Sequence, residues 1–217
     1  MVGWLAMVGV LLAAYLLGSI PTGYLVTRWL KGVDIRDYGS GGTGATNVLR
    51  TVGKGAGLTV LIIDILKGMA AVLLIKVAYP FIASAFQSSI PADGWPWWAA
   101  LAGLMALVGH SRSIWIQFTG GKSAASGFGV LLALAWPIAM GAVVTFAVVL
   151  AISRIVSLSS IMAALVTIGL MAITGQPLPY LLLAIAGGLY VILRHRTNIN
   201  RILAGTEPRL GSRKTSS

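Results

Sequence analysis

From residue 124 to residue 152 the chain runs without one charged side chain. A helix needs about 20 predominantly apolar residues to cross the hydrocarbon core of a bilayer. There every backbone N–H and C=O must find a partner within the segment, so a lipid-exposed run of this kind has to be helical. Apolar runs recur at residues 2–17, 58–81, 95–108, 158–174 and 178–193. With 57% hydrophobic and only 10% charged residues, the composition excludes an ordinary soluble domain. The expected fold is all-α: a polytopic membrane helix bundle of about seven transmembrane helices, forming a single domain over residues 1–217.

The interruptions set the topology. Pro21 should break the first helix, which extends to about Trp29. The run at 124–152 is too long for one untilted crossing, and the Trp136-Pro137 pair should divide it in two. Arg28, Lys31, Arg36, Arg50 and Lys54 crowd one inter-helix segment, and retained cytoplasmic loops collect such cations. That places the N-terminus outside and the C-terminus in the cytoplasm. A label at Thr43 should then be reached from the cytoplasm and one at Ser89 from outside. Arg28, Lys31 and Arg36 are read as topology determinants only.

The balance of 16 Lys plus Arg against 5 Asp plus Glu would suggest nucleic acid in a soluble protein. Here the cations sit between apolar runs, so no nucleic acid partner is expected. There are no cysteines and only two histidines, so neither a thiolate metal centre nor a dense ligand cluster is expected, and no cofactor is implied.

This topology brings four polar stretches to one face: residues 39–50, 110–126, 154–160 and 194–207. They supply Arg50, Lys122 and Arg154, with His110, Arg112, Arg196 and Arg201 nearby, and a single glutamate, Glu207. Glycine-exposed amides and arginine forks suit phosphate oxygens, so a phosphorylated substrate is expected. Gly120-Gly121-Lys122 lacks the earlier glycine of a nucleotide phosphate loop at the required spacing. Ser40, Thr46 and Asn47 suit either ligand contacts or loop structure. Asp64 and Lys67, three apart on a helix, should pair inside the membrane, and Gly187-Gly188 should let helices approach closely. A transporter of phosphorylated metabolites would also need cations, but no pair of inverted halves is legible.

Five fragments together, GSIPTGYL at 18–25, GSGGTGATNVLR at 39–50, GHSRSIWIQFTGGKSAAS at 109–126, RIVSLSSI at 154–161 and HRTNINRILAGTE at 195–207, resemble the bacterial acyl-phosphate:glycerol-3-phosphate acyltransferase family. The resemblance spans nearly the whole chain. It implies transfer of an acyl group from acyl phosphate to the 1-hydroxyl of sn-glycerol 3-phosphate, giving lysophosphatidic acid and phosphate. It further implies the bacterial inner membrane, a site facing the cytoplasm, and functional coupling to the enzyme that makes acyl phosphate. Carried onto the matching positions, it implies Lys122, Arg50, His110 and Ser40 as catalytic residues. Gly41, Thr46, Asn47, Gly120, Gly121, Ser157, Ser159, His195, Asn198 and Glu207 would bind substrate. Gly42 and Thr43 depart from the family's usual Asn-Ile, and Ser123 stands where the family has glycine. The proton acceptor is either a substrate phosphate oxygen or His110.

Overall fold

The computed structural model describes residues 1–86, 91 and 93–211, so the expected outside position Ser89 lies outside the described residues. The described residues form ten α-helices and no strand. Helix α1 (Val2–Ser19) stops at Ile20-Pro21, and α2 (Thr22–Lys31) follows. A short α3 (Ala45–Thr51) precedes the long α4 (Lys54–Ala85) and α5 (Trp95–Ser111). The uncharged run divides at Ala135 into α6 (Ala124–Leu134) and α7 (Trp136–Ser153), as the Trp-Pro pair predicted. Then come α8 (Val156–Ile173), α9 (Leu178–Arg194) and α10 (Arg196–Leu203). Two boundaries need correction. The glycine-rich stretch is a loop only to Gly44, because α3 carries Thr46, Asn47 and Arg50 on a helix. Helix α4 begins at Lys54, four residues before the expected Leu58, since nothing between Gly53 and Leu58 stops it.

Among the described residues, four helical spans are long and apolar enough to cross a membrane, the first of them α1 and α2 together, or five if α9 and α10, bent by 59°, count as one. The chain is a multi-pass membrane protein. Helix α4 is the central strut, packing on α1, α3, α5 and α6, while α7, α8 and α9 close the other side. Lipid offers no hydrophobic drive for helices to associate, so close packing at small residues has to supply it. At the α4–α6 contact, a Cβ on Gly68 or Gly129 would strike the backbone at Ser126 or Ile65.

The break at Ile20 leaves a carbonyl that the helix cannot use. Thr22 N donates to it at 2.9 Å, and Lys67 Nζ donates at 2.8 Å. Lys67 also pairs with Asp64 at 2.8 Å, both side chains buried. The intramembrane pair therefore ties α4 to the broken first span, which is how an ion pair is tolerated at this depth.

Arg36 is more than the topology marker expected. It pairs with Asp34 at 2.6 Å, lies 5.5 Å from the centroid of the Tyr24 ring, and its Nη1 donates to the Ile116 carbonyl at 3.4 Å. Asp34 is its near neighbour in the chain, but only the fold brings Tyr24 and Ile116 around it.

Candidate active site

A cavity of about 370 Å³ opens between α3 and α10 and runs inward among α4, α5, α6, α7, α8 and α9. Its outer end carries Ser40, Arg50, Lys122, Ser157, Asn198 and Glu207, and its inner walls are Ile65, Phe128, Val143, Phe146, Ala163 and Leu183. The wall contributed by α8 repeats at helical spacing: Ser157, Ser160, Ala164 and Thr167 share one face. That stripe of hydroxyls on an apolar helix is a signal from which Ser160 and Thr167 could have been read.

Glu207 organises the mouth. Its Oε1 accepts from Ser157 Oγ at 2.7 Å and from Asn198 Nδ2 at 2.5 Å, and its Oε2 accepts from Arg201 Nε at 2.7 Å. Burial pushes this carboxyl up, but the three donors outweigh it and hold the pKa below the usual carboxylate range. Asn198 passes the polarity on, because its Oδ1 accepts from Lys122 Nζ at 2.5 Å. Burial is the main reason the Lys122 ammonium is pushed down to about 8; Arg201, Arg194 and Arg50 add to the shift, and Glu207 opposes it. Arg50 reaches the same mouth from α3, its Nη2 donating to the Pro208 carbonyl at 3.3 Å. Two cations thus face a cavity whose carboxylates, Asp64 and Glu207, already have cationic partners.

The Gly120-Gly121 pair works by close approach. A Cβ on Gly121 would run into the His110 imidazole, and one on Gly120 into the His110 carbonyl. Gly121 N donates to that carbonyl at 3.1 Å, and Arg194 Nη2 donates to the Gly121 carbonyl at 3.1 Å. Arg194 escaped the sequence reading because a cation ending an apolar run looks like an interface marker; only its aim distinguishes it. Ser123 adopts φ 63°, a left-handed conformation that only glycine adopts without strain. Its Oγ donates to the Leu107 carbonyl at 2.7 Å and accepts from Ser111 at 2.5 Å, which anchors the strained residue.

The two histidines are held differently. His110 is buried, with Nδ1 3.6 Å from Asp64 Oδ1 and Nε2 against Gly121. His195 Nδ1 lies 2.8 Å from the Val191 carbonyl. A carbonyl only accepts, so Nδ1 carries the proton and Nε2 is left as an acceptor. Burial pushes the His195 pKa down to about 4.

Of the expected site residues, Lys122, Arg50, His110, Ser40, Thr46, Asn47, Gly121, Ser157, His195, Asn198 and Glu207 all line this cavity. Gly41, Gly120 and Ser159 do not. Gly41 is exposed at a left-handed turn, Gly120 packs on the His110 backbone, and Ser159 points off the wall face of α8 and donates to the Ile155 carbonyl of its own helix at 2.9 Å. Asn47 builds the loop: its Nδ2 donates to the Tyr38 and Gly42 carbonyls, both at 2.9 Å, and its Oδ1 accepts from Ser40 N at 3.0 Å. Arg154 lies outside the cavity altogether, at the far end of α7. Gly187 and Gly188 do allow close contact, with Leu107 and Ile168, and they line the cavity as well.

Comparison with known proteins gives one consistent family. Residues 8–205 match the family model described as glycerol-3-phosphate acyltransferase. The chain is 54% identical to a glycerol-3-phosphate acyltransferase of Trichormus variabilis, covering 98% of this chain and 96% of the relative. It is 56% identical to glycerol-3-phosphate acyltransferase 2 of Rhizobium johnstonii, covering 97% and 99%. The fold is similar to the crystal structure of PlsY (YgiH), an integral membrane glycerol 3-phosphate acyltransferase, in its glycerol 3-phosphate form. The TM-score is 0.82 at 35% identity, with 95% of this chain and 96% of that one covered. The lysophosphatidic acid form of PlsY gives a TM-score of 0.79.

Proposed function

This chain belongs to the glycerol-3-phosphate acyltransferase family, and from that premise we propose that it transfers an acyl group from acyl phosphate to the 1-hydroxyl of sn-glycerol 3-phosphate. The observation that carries the reading is the division of one cavity into a cationic mouth and an apolar interior. Arg50 and Lys122 suit the two phosphates at the mouth, and the walls from α4 and α6–α9 suit the acyl chain. The hydroxyl oxygen attacks the acyl carbon, the bond from that carbon to the phosphate oxygen breaks, and inorganic phosphate leaves with the second product, lysophosphatidic acid. The mixed anhydride already has a good leaving group, so alignment of two anions and neutralisation of their charge are the protein's main tasks.

The hydroxyl proton goes to a substrate phosphate oxygen. Both His110 nitrogens face protein, towards Asp64 and Gly121, and an imidazole with a pKa of about 4 at His195 is a weak base at neutral pH. Ser40, Ser157, Thr46 and the His195 Nε2 acceptor orient the glycerol, and Asn198 and Glu207 hold Lys122. We place seven crossings within one domain at α1 and α4–α9, N-terminus out and C-terminus in, although α5, α6 and α9 are shorter than a full span. With the basic mouth on the inner side, the site takes substrate from the cytoplasm of a bacterial inner membrane, where the enzyme that makes acyl phosphate can feed it.

The test is purified protein in detergent with acyl phosphate and glycerol 3-phosphate and no second protein. Phosphate release should depend on glycerol 3-phosphate, and acyl-CoA should not replace the donor. Equal turnover with both donors, or phosphate release indifferent to glycerol 3-phosphate, would overturn the assignment.

A further inference from the structure

The cavity of the candidate active site has an inner end. Along α8 its wall begins beside Ser157, which donates to Glu207 at the mouth. Among the described residues that wall stops at Thr167, although the helix continues to Ile173. From Ser157 to Thr167 is roughly 15 Å at ~1.5 Å per residue. Along α9 the wall runs inward from His195 and stops at Leu183, although that helix starts at Leu178. Thr167 and Leu183 lie at nearly the same distance from the turn that joins α8 to α9, so the two walls end within about one helical turn of the same depth.

A packed layer closes that end. A Cβ on Gly103 would run into Val130 of α6 and into Leu183 of α9, so these two side chains converge on one spot of α5. Gly103 itself lies outside the cavity, behind them. Val130 and Leu183 belong both to the cavity wall and to the buried core, where they share a cluster with Ile138, Met171 and Tyr180. Such cores are close-packed, so a chain end cannot pass between the side chains without displacing them. Between the mouth and this layer α8 and α9 present Ala163, Ala164, Gly187 and Gly188. Small residues along the bore and branched ones at its end make a sleeve of fixed depth. The hydrocarbon core of a bilayer is about 30 Å thick, so one acyl chain of ordinary membrane length covers roughly 15 Å, the depth of the sleeve.

We propose that Val130 and Leu183, with Thr167 beside them, form the floor of the acyl site and set the longest acyl chain the protein accepts. The identity of the ligand rests on the acyl-transfer reading; the length limit is the new element, and binding tests it apart from turnover.

The experiment has two arms, both on the full chain in detergent. One measures binding of lysophosphatidic acids of ten to twenty carbons by native mass spectrometry, and the other measures turnover of acyl phosphates of the same lengths with glycerol 3-phosphate. In wild type each added pair of methylenes should tighten lysophosphatidic acid about tenfold until the chain reaches the floor, and the next pair should weaken it. Leu183→Ala opens space over Gly103 and should move the optimum up by about two carbons. Thr167→Leu thickens the floor and should move it down by about as much. Each variant is read as the ratio of long-chain to short-chain binding, which a general loss of stability leaves unchanged. Either variant suffices if the other does not fold, and the wild-type series tests the limit by itself. An optimum that shifts in these directions without turnover of acyl phosphate would support the floor and overturn the donor assignment. Binding that rises or stays level through twenty carbons, or an optimum that stays put in both variants, would overturn the floor whatever the turnover.

Discussion

Replacing Glu207 by glutamine keeps the shape of the side chain and removes its charge. The remaining oxygen can still accept from Ser157 and Asn198, but the new amide group then points its N–H donors at Arg201 Nε, which now lies 2.7 Å from Oε2. One charge-assisted hydrogen bond is lost. Such a bond is worth roughly 1.5–3 kcal/mol when buried, and because the Arg201 side chain is 38% exposed the loss is discounted to about 1–2 kcal/mol. At about 2–4 °C per kcal/mol for a chain of this size, Tm should fall by roughly 2–8 °C. The second effect concerns Lys122. Burial and three arginines push its ammonium down to about 8, against the opposing charge of Glu207. Without that charge Lys122 loses its proton at a lower pH, so the alkaline limb of kcat/KM should move below that of wild type. Phosphate release from acyl phosphate, measured from pH 6 to pH 9.5 on both proteins, reads the limb directly. An alkaline limb that stays put or moves upward, with Tm unchanged, would refute the electrostatic coupling between Glu207 and Lys122.

Three further outcomes are expected. Arg50→Ala should lower kcat/KM for glycerol 3-phosphate or acyl phosphate at least about tenfold, the loss of one charge-assisted contact, with Arg50→Lys in between; the exposed Lys31→Ala should stay near wild type. Gly121→Ala puts a methyl group into the His110 imidazole, so activity should fall by at least about tenfold through the displaced Lys122, and adding His110→Ala should recover part of it. Lys122→Met should abolish activity without lowering Tm at neutral pH. The folded protein releases the Lys122 proton near pH 8, whereas the unfolded chain holds it to the ordinary 10.5. Between those values the unfolded state binds more protons, so the stability of wild type should rise relative to Lys122→Met.

Hydropathy and charge are read along the chain, and whatever depends on them was legible from the sequence. The uncharged run divided at Trp136-Pro137 and the first helix stopped at Pro21, because a proline's effect is local. The four polar stretches also announced most of the polar residues that line the cavity, all but Asp64 and Thr167. Partner and direction are different quantities, set by how each helix is rotated and crossed. Arg50, Arg36 and Arg154 look alike in sequence, yet one faces the cavity, one ties Asp34 to the loop at Ile116, and one caps the C-terminal end of α7. Asn47 could serve a ligand or the loop; four backbone groups converge on its amide, a role in the loop that only the fold shows, and it also lines the cavity. Lys122 meets Asn198 across 76 positions of sequence. That contact exists because glycine at 121 lets the chain pass against His110, and because the 59° bend at His195 turns α10 towards the mouth; a contact made by two such turns has no local signature for the sequence to carry.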